Sequence, residues 1–113
     1  MRRSKRLSKS EISDKPAKMK RAITTVKAPG AIAPYSQAMY AGNLLFCSGQ
    51  LGMTPEGKFE ATDAAGQTVQ ALKNVGEVLK EAGLDYCDVV KTTVLVADIN
   101  DYGKVNEEYE KLV

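Results

Sequence analysis

The chain has 113 residues, 43% of them hydrophobic, with 16 basic and 14 acidic side chains and a formal net charge of +2. That length supports one domain, and no apolar run approaches the ~18 residues a membrane span needs. Histidine is absent, which excludes Ser-His and Cys-His nucleophilic sites, H-E-x-x-H metal sites and any imidazole general base.

The charge is unevenly distributed. Residues 1–21 carry nine basic and two acidic side chains, a net of +7, whereas residues 22–113 carry seven basic and twelve acidic, a net of −5. The stretch MRRSKRLSKSEISDKPAKMKR has too little apolar content to offset its ordering entropy and reads as a disordered extension. Four readings apply to it: a solvated extension without a specific role, an organelle-targeting peptide, a nucleic-acid-binding arm, or an artefact of translation starting at Met19. Glu11 and Asp14 argue against targeting, and the lack of interleaved aromatic residues argues against nucleic acid. There is no apolar core of a secretory signal, so the expected compartment is the cytoplasm, or an organelle if the extension is a targeting segment. Cys47 and Cys87 lack disulfide or metal-ligand spacing. Cys47, inside an apolar strand, is expected to be a reduced core residue.

The body, residues 22–113, opens with a short β-branched strand at Ala22–Val26 and a turn at Pro29-Gly30. A hairpin follows, Ser36–Ala41 and Leu44–Ser48, turned by Gly42-Asn43. Thr54-Pro55-Glu56-Gly57 punctuates the chain. From Ala64 to Ala82 the period changes: Ala65, Val69, Leu72, Val75, Leu79 and Ala82 form one stripe of an amphipathic helix, and Gly83 stands at its C′ position. Gly76, inside that helix, is expected where a face packs closely on a sheet. Val89–Ala97 (VVKTTVLVA) is β-branched and continuous, which predicts a central strand. Asp98–Asp101 supplies a turn and an N-cap. A second helix starts near Tyr102 with Val105, Tyr109 and Leu112 on one face. Strand, hairpin, helix, strand, helix predicts an α+β layer, with helices on one face of a mixed sheet. About ninety residues make a marginal core that oligomerisation often completes.

Three segments, APGAIAPYSQA, GNLLFCSGQLG and the run QTVQALKNVGEVLKEAGLDYCDVVKTTVLVADINDYGKVNEEYEKL, closely resemble the RidA/YjgF family of imine/enamine deaminases. The resemblance runs from about Met19 to Val113. It implies a chorismate-mutase-like α+β domain that forms homotrimers with sites at the subunit interfaces. It also implies hydrolysis of reactive 2-imino and enamine acids, such as 2-aminoacrylate, to 2-keto acids and ammonia, with neither metal nor cofactor. Carried onto this chain, the family's site residues are Tyr35 and Asn106 as catalytic groups and Ser48 and Gly49 as substrate-binding groups. Such an assignment has a physical logic. An anionic imino acid needs hydroxyl and amide donors around its carboxylate and a donor near the nitrogen that gains charge as water adds. A glycine lets the backbone come close to the ligand.

One departure accompanies the resemblance. The family continues past this second helix with a P-x-R-S segment, whose arginine pairs with the substrate carboxylate, and two strands bearing a glutamate that positions the water. The sequence ends before them, so residues 22–113 are expected to be a C-terminally incomplete domain. It would belong to a complete deaminase or to an inactive shortened relative. Two further classes of function remain: a non-catalytic metabolite-binding or regulatory trimer, and an endoribonuclease-type translation inhibitor. The net negative body argues against nucleic acid.

Overall fold

A computed structural model describes residues 21–113. The expectations for residues 1–20 lie outside the described residues. Three strands, β1 (Arg21–Ile23), β2 (Ala38–Ala41) and β3 (Leu44–Cys47), precede an 18-residue helix α1 (Ala64–Glu81) and an 11-residue helix α2 (Tyr102–Leu112). Short 3₁₀ turns lie at Tyr86–Asp88 and Ile99–Asp101. The strands form one antiparallel sheet in the order β1-β2-β3, with Ile23 opposite Ala38 and Ala38 opposite Cys47.

Local chemistry explains most boundaries. Ala41 pairs with Leu44, so the hairpin loop is Gly42-Asn43. Gly42 takes φ +64°, as the first central residue of a II′-type turn must. The α1 helix starts at Asp63, whose carboxylate accepts from the Gly66 amide at 3.2 Å, relieving one of the helix's unpaired N–H groups. It ends in a Schellman motif: Gly83 has φ +78°, its amide donates to the Lys80 carbonyl at 2.9 Å, and the Leu84 amide donates to the Leu79 carbonyl at 2.8 Å. At the α2 entrance the Asp98 carboxylate accepts from the Asn100 amide at 3.0 Å, so the expected cap closes the preceding 3₁₀ turn.

The core lies between the sheet and α1. Ile23, Ala28, Ala38 and Val78 form a buried cluster, with Tyr40, Leu45 and Ala82 packed against it. Tyr40 fastens the two layers, because its hydroxyl donates to the Ala82 carbonyl at 3.0 Å while the Arg21 guanidinium lies 5.1 Å from its ring centroid. Helix α2 packs on α1 and buries Val105.

Four sequence expectations are corrected. Val89–Ala97 joins no ladder among the described residues, so the sheet is antiparallel rather than mixed. Val90 and Leu95 are about nine-tenths exposed, at 88% and 90%. A strand exists through its partner's hydrogen bonds, and propensity alone does not supply one. Within the segment the Thr92 hydroxyl hydrogen-bonds the Tyr109 hydroxyl, the Val89 amide donates to the Tyr86 carbonyl at 3.0 Å, and Val89 and Val96 are half-buried. Cys47 is exposed rather than core. It shares the helix-facing side of the sheet with Ala38 but stands on an edge strand, where the described residues cover it only in part. Partial burial still pushes its thiol up from the ordinary value. Gly76 packs against Tyr86 and not a sheet, since a Cβ there would run into the Tyr86 hydroxyl and stand 2.9 Å from its Cζ. Within the predicted α1 stripe, Val69 is 43% exposed, and Asn74, Gly76 and Val78 are buried instead. The helix is covered on two sides, so a single stripe does not describe it.

Candidate functional site

The polar end of the hairpin is built by hydrogen bonds that local sequence does not reveal. Pro34 sits in the middle of a tight three-residue turn, the Tyr35 amide donating to the Ala33 carbonyl at 2.7 Å. A fixed φ near −65° suits proline to that place. Tyr35 is thereby set, half-buried, just before β2. On the opposite strand, Ser48 is buried: its amide donates to the Gln37 carbonyl at 3.0 Å and its hydroxyl donates to the Ser36 carbonyl. The Tyr35–Gln37 and Ser48–Gly49 segments are therefore neighbours.

Gly49 follows at the surface, with no atom within 4 Å of where a Cβ would stand. Its amide takes no backbone partner among the described residues, so a donor lies open beside Tyr35's segment. The chain is then pinned to α1. A Cβ on Gly52 would stand 2.7 Å from the Gln67 Cα, and the fully buried Asn74 donates from Nδ2 to the Leu51 carbonyl at 3.1 Å and the Met53 carbonyl at 2.7 Å. Gln70 Nε2 completes the cluster by donating to Asn74 Oδ1 at 2.9 Å.

The structure thus brings together three of the four expected residues, Tyr35, Ser48 and Gly49. Asn106 lies on the exposed side of α2, and no hydrogen bond links it to the hairpin end among the described residues. A cavity of about 140 Å³ is lined by Gly52, Thr54, Glu60, Ala61, Gly66, Val69 and Gln70 and includes none of the four. Its walls are mostly small side chains, with one amide, Gln70, and one carboxylate, Glu60, which disfavours an anion there. The hairpin end, with its open amide and hydroxyl-bearing neighbours, is the chemically richer place for a small anion.

Two buried amide side chains, Asn74 and Gln37, are marked by no local sequence motif. Gln37 Oε1 accepts from the Thr25 amide at 2.7 Å, and its Nε2 faces the carbonyls of Pro29, Thr25 and Ala28. The one available signal was a glutamine inside a hairpin strand whose neighbours, Ala38 and Met39, are apolar.

Residues 25–113 match the family model described as Endoribonuclease L-PSP. A human protein named 2-iminobutanoate/2-iminopropanoate deaminase is 53% identical over 94 residues, covering 82% of this chain and 69% of that protein. The Arabidopsis thaliana Reactive Intermediate Deaminase A, chloroplastic, is 54% identical over 93 residues, covering 81% of this chain and 50% of that protein. Among solved structures, Escherichia coli TdcF with bound serine superposes with a TM-score of 0.77 at 38% identity, covering 80% of this chain and 72% of that one. The small sheet and the two helices are accordingly those of a shared fold, and the chain belongs to the Endoribonuclease L-PSP family, the RidA/YjgF group.

Proposed function

We propose that the full-length protein is a deaminase that hydrolyses 2-imino acids and their enamine tautomers, such as 2-aminoacrylate and 2-iminobutanoate, to 2-keto acids and ammonia. The observation that carries this reading is the hairpin end, where Tyr35, buried Ser48 and the open Gly49 amide are neighbours, in a chain 53% identical to a human protein named for this reaction. The serine bound to TdcF supports a small amino-acid-like ligand. An enamine first tautomerises to the imine. Water then adds to the C=N carbon, a proton reaches the nitrogen, and the tetrahedral carbinolamine expels ammonia to leave the keto acid. In this scheme the Gly49 amide donates to the substrate carboxylate. The Tyr35 hydroxyl orients the substrate or supplies a proton as the nitrogen gains charge. Ser48 holds the backbone that presents the amide, and Asn106 contributes a polar contact.

A homotrimer with interfacial sites belongs to the same proposal. Leu44 and Phe46, on one face of β3, are both 51% exposed, and Leu51, Val94 and Ile99 lie open as well, apolar side chains that a partner subunit would cover. A site between subunits also accounts for Asn106 facing outward from α2. No helix among the described residues is long and apolar enough to cross a membrane. The proposed compartment is the cytoplasm, with an organelle as the alternative.

The test uses imines generated freshly from the amino acid. Accelerated release of 2-keto acid and ammonia supports the proposal. Absence of acceleration, together with salt-dependent cleavage of single-stranded RNA, would replace it with the ribonuclease reading, which the net charge of −5 over residues 22–113 disfavours.

A further inference from the structure

Gln37 is 4% exposed, and its side chain works as a substitute backbone. The first strand ends at Ile23, so the chain from Thr25 onward has left the sheet and its peptide groups have no ladder partner. The Gln37 amide fills that gap. Its Oε1 accepts from the Thr25 amide at 2.7 Å, and its Nε2 donates to the Pro29 carbonyl at 2.8 Å, the Thr25 carbonyl at 3.1 Å and the Ala28 carbonyl at 3.4 Å. One N–H and three carbonyls are served by a single planar group with one acceptor oxygen and two donor hydrogens. Thr25 receives the donor and acceptor that a neighbouring strand would have offered.

These bonds define the course of the segment that carries Tyr35. Pro29 is tied to the Gln37 side chain, and Gln37 stands two residues beyond Tyr35, so residues 29–37 form a closed loop with Tyr35 inside it. The main chain of the same residue holds the other half of the site, since the Gln37 carbonyl accepts from the Ser48 amide at 3.0 Å. Ile32, within the loop, is 86% exposed and adds no apolar packing. The loop's path therefore depends on hydrogen bonds.

We infer that Gln37 is a positioning residue for imine hydrolysis: its buried amide fixes the 29–35 loop so that Tyr35 faces the Gly49 amide across the substrate. The inference rests on the deaminase reading. Gln37 touches no substrate in this scheme and acts through Tyr35. A misplacement of about 1 Å can cost on the order of 10²-fold in rate, so the expected loss is large for a residue with no chemical role.

The experiment is a double-mutant cycle on the full-length protein, with kcat and KM measured for freshly generated 2-iminobutanoate. Gln37→Met keeps the length and removes every side-chain hydrogen bond, leaving the main-chain bond to Ser48 in place. Gln37→Glu keeps the acceptor for the Thr25 amide and replaces the donor with oxygen. Each is expected to lower kcat by about 10- to 100-fold, and in the Tyr35→Phe background that loss should shrink to about threefold or less, because the group being positioned is gone. A purely structural role gives the same fold-loss in both backgrounds, and that additivity overturns the inference, as does parental kcat in Gln37→Met. If Gln37→Met fails to fold by circular dichroism, Gln37→Glu carries the cycle; if both fail, Gln37 is a folding residue and the inference is wrong. A parent without imine hydrolysis sinks the deaminase reading and the inference with it. An active parent with an additive cycle sinks the inference alone.

Discussion

Replacing Gly76 by alanine sets two effects of known sign against each other. Helix propensity favours alanine by up to ~1 kcal/mol in a helix interior, and on that ground Gly76→Ala is a stabilising change. The structure says otherwise, because the new Cβ would meet the Tyr86 hydroxyl and stand 2.9 Å from Cζ and 3.4 Å from Cε2. The Tyr86 ring cannot simply withdraw, since its hydroxyl donates to the Leu72 carbonyl. Overpacking of this kind costs about 1–3 kcal/mol, and losing the Tyr86 hydrogen bond adds about 1 kcal/mol. The clash wins, with a net destabilisation of roughly 1–3 kcal/mol once the propensity gain is subtracted. For a domain of this size that lowers Tm by roughly 5–20 °C. Thermal unfolding followed by circular dichroism measures it. The sign should invert when Tyr86 is first cut to alanine, because only the propensity term then remains. A Gly76→Ala protein that melts above the parent, with Tyr86 intact, refutes the close approach of α1 and Tyr86.

Other expectations follow from the buried polar groups. Asn74→Leu leaves the Leu51 and Met53 carbonyls without their donor and should cost about 2–4 kcal/mol, read as a lower urea midpoint; an unchanged midpoint means the Asn74 cluster does not hold the chain after Gly49. Burial, and after it the charges of Asp85 and Glu77, push the Tyr86 phenol above its usual value of 10.0, a hydrogen bond from the Gly76 backbone pulling the other way. A folded-state pKa raised in this way contributes stability that is fully present below about pH 10 and is lost as pH rises through the folded value. The parent should therefore lose Tm more steeply above about pH 10 than Tyr86→Phe does; equal slopes contradict the assignment.

Elements governed by short-range rules were readable from the sequence. Gly42-Asn43 marked the hairpin, the 3.6-residue period marked α1, and Gly83 marked its end, because turn chemistry and amphipathic spacing act within a few residues. Val89–Ala97 was misread for the complementary reason: whether a β-branched run becomes a strand depends on what lies beside it. Cys47 shows the same limit, since an apolar strand predicts a core residue while its exposure depends on β3 being an edge strand. Asn74 and Gln37 look like ordinary surface amides in sequence, yet the backbone groups they serve are 21 and 23, and 8 to 12, positions away. Of the candidate site, Tyr35, Ser48 and Gly49 were placed together by a hairpin register that the turn already dictates. Asn106 rests on family resemblance alone: it stands exposed on α2, with no hydrogen bond to the hairpin end among the described residues, and nothing local in the sequence distinguishes it from an ordinary surface residue.

The most direct test of the central claim compares the full-length parent and Tyr35→Phe as catalysts of 2-iminobutanoate hydrolysis, by initial rates of 2-ketobutanoate release, with Tm measured on the same samples. The account predicts clear acceleration by the parent, and a loss of about 10²-fold in Tyr35→Phe, concentrated in kcat, with Tm unchanged. A parent no faster than buffer, or a Tyr35→Phe protein as fast as the parent, contradicts it.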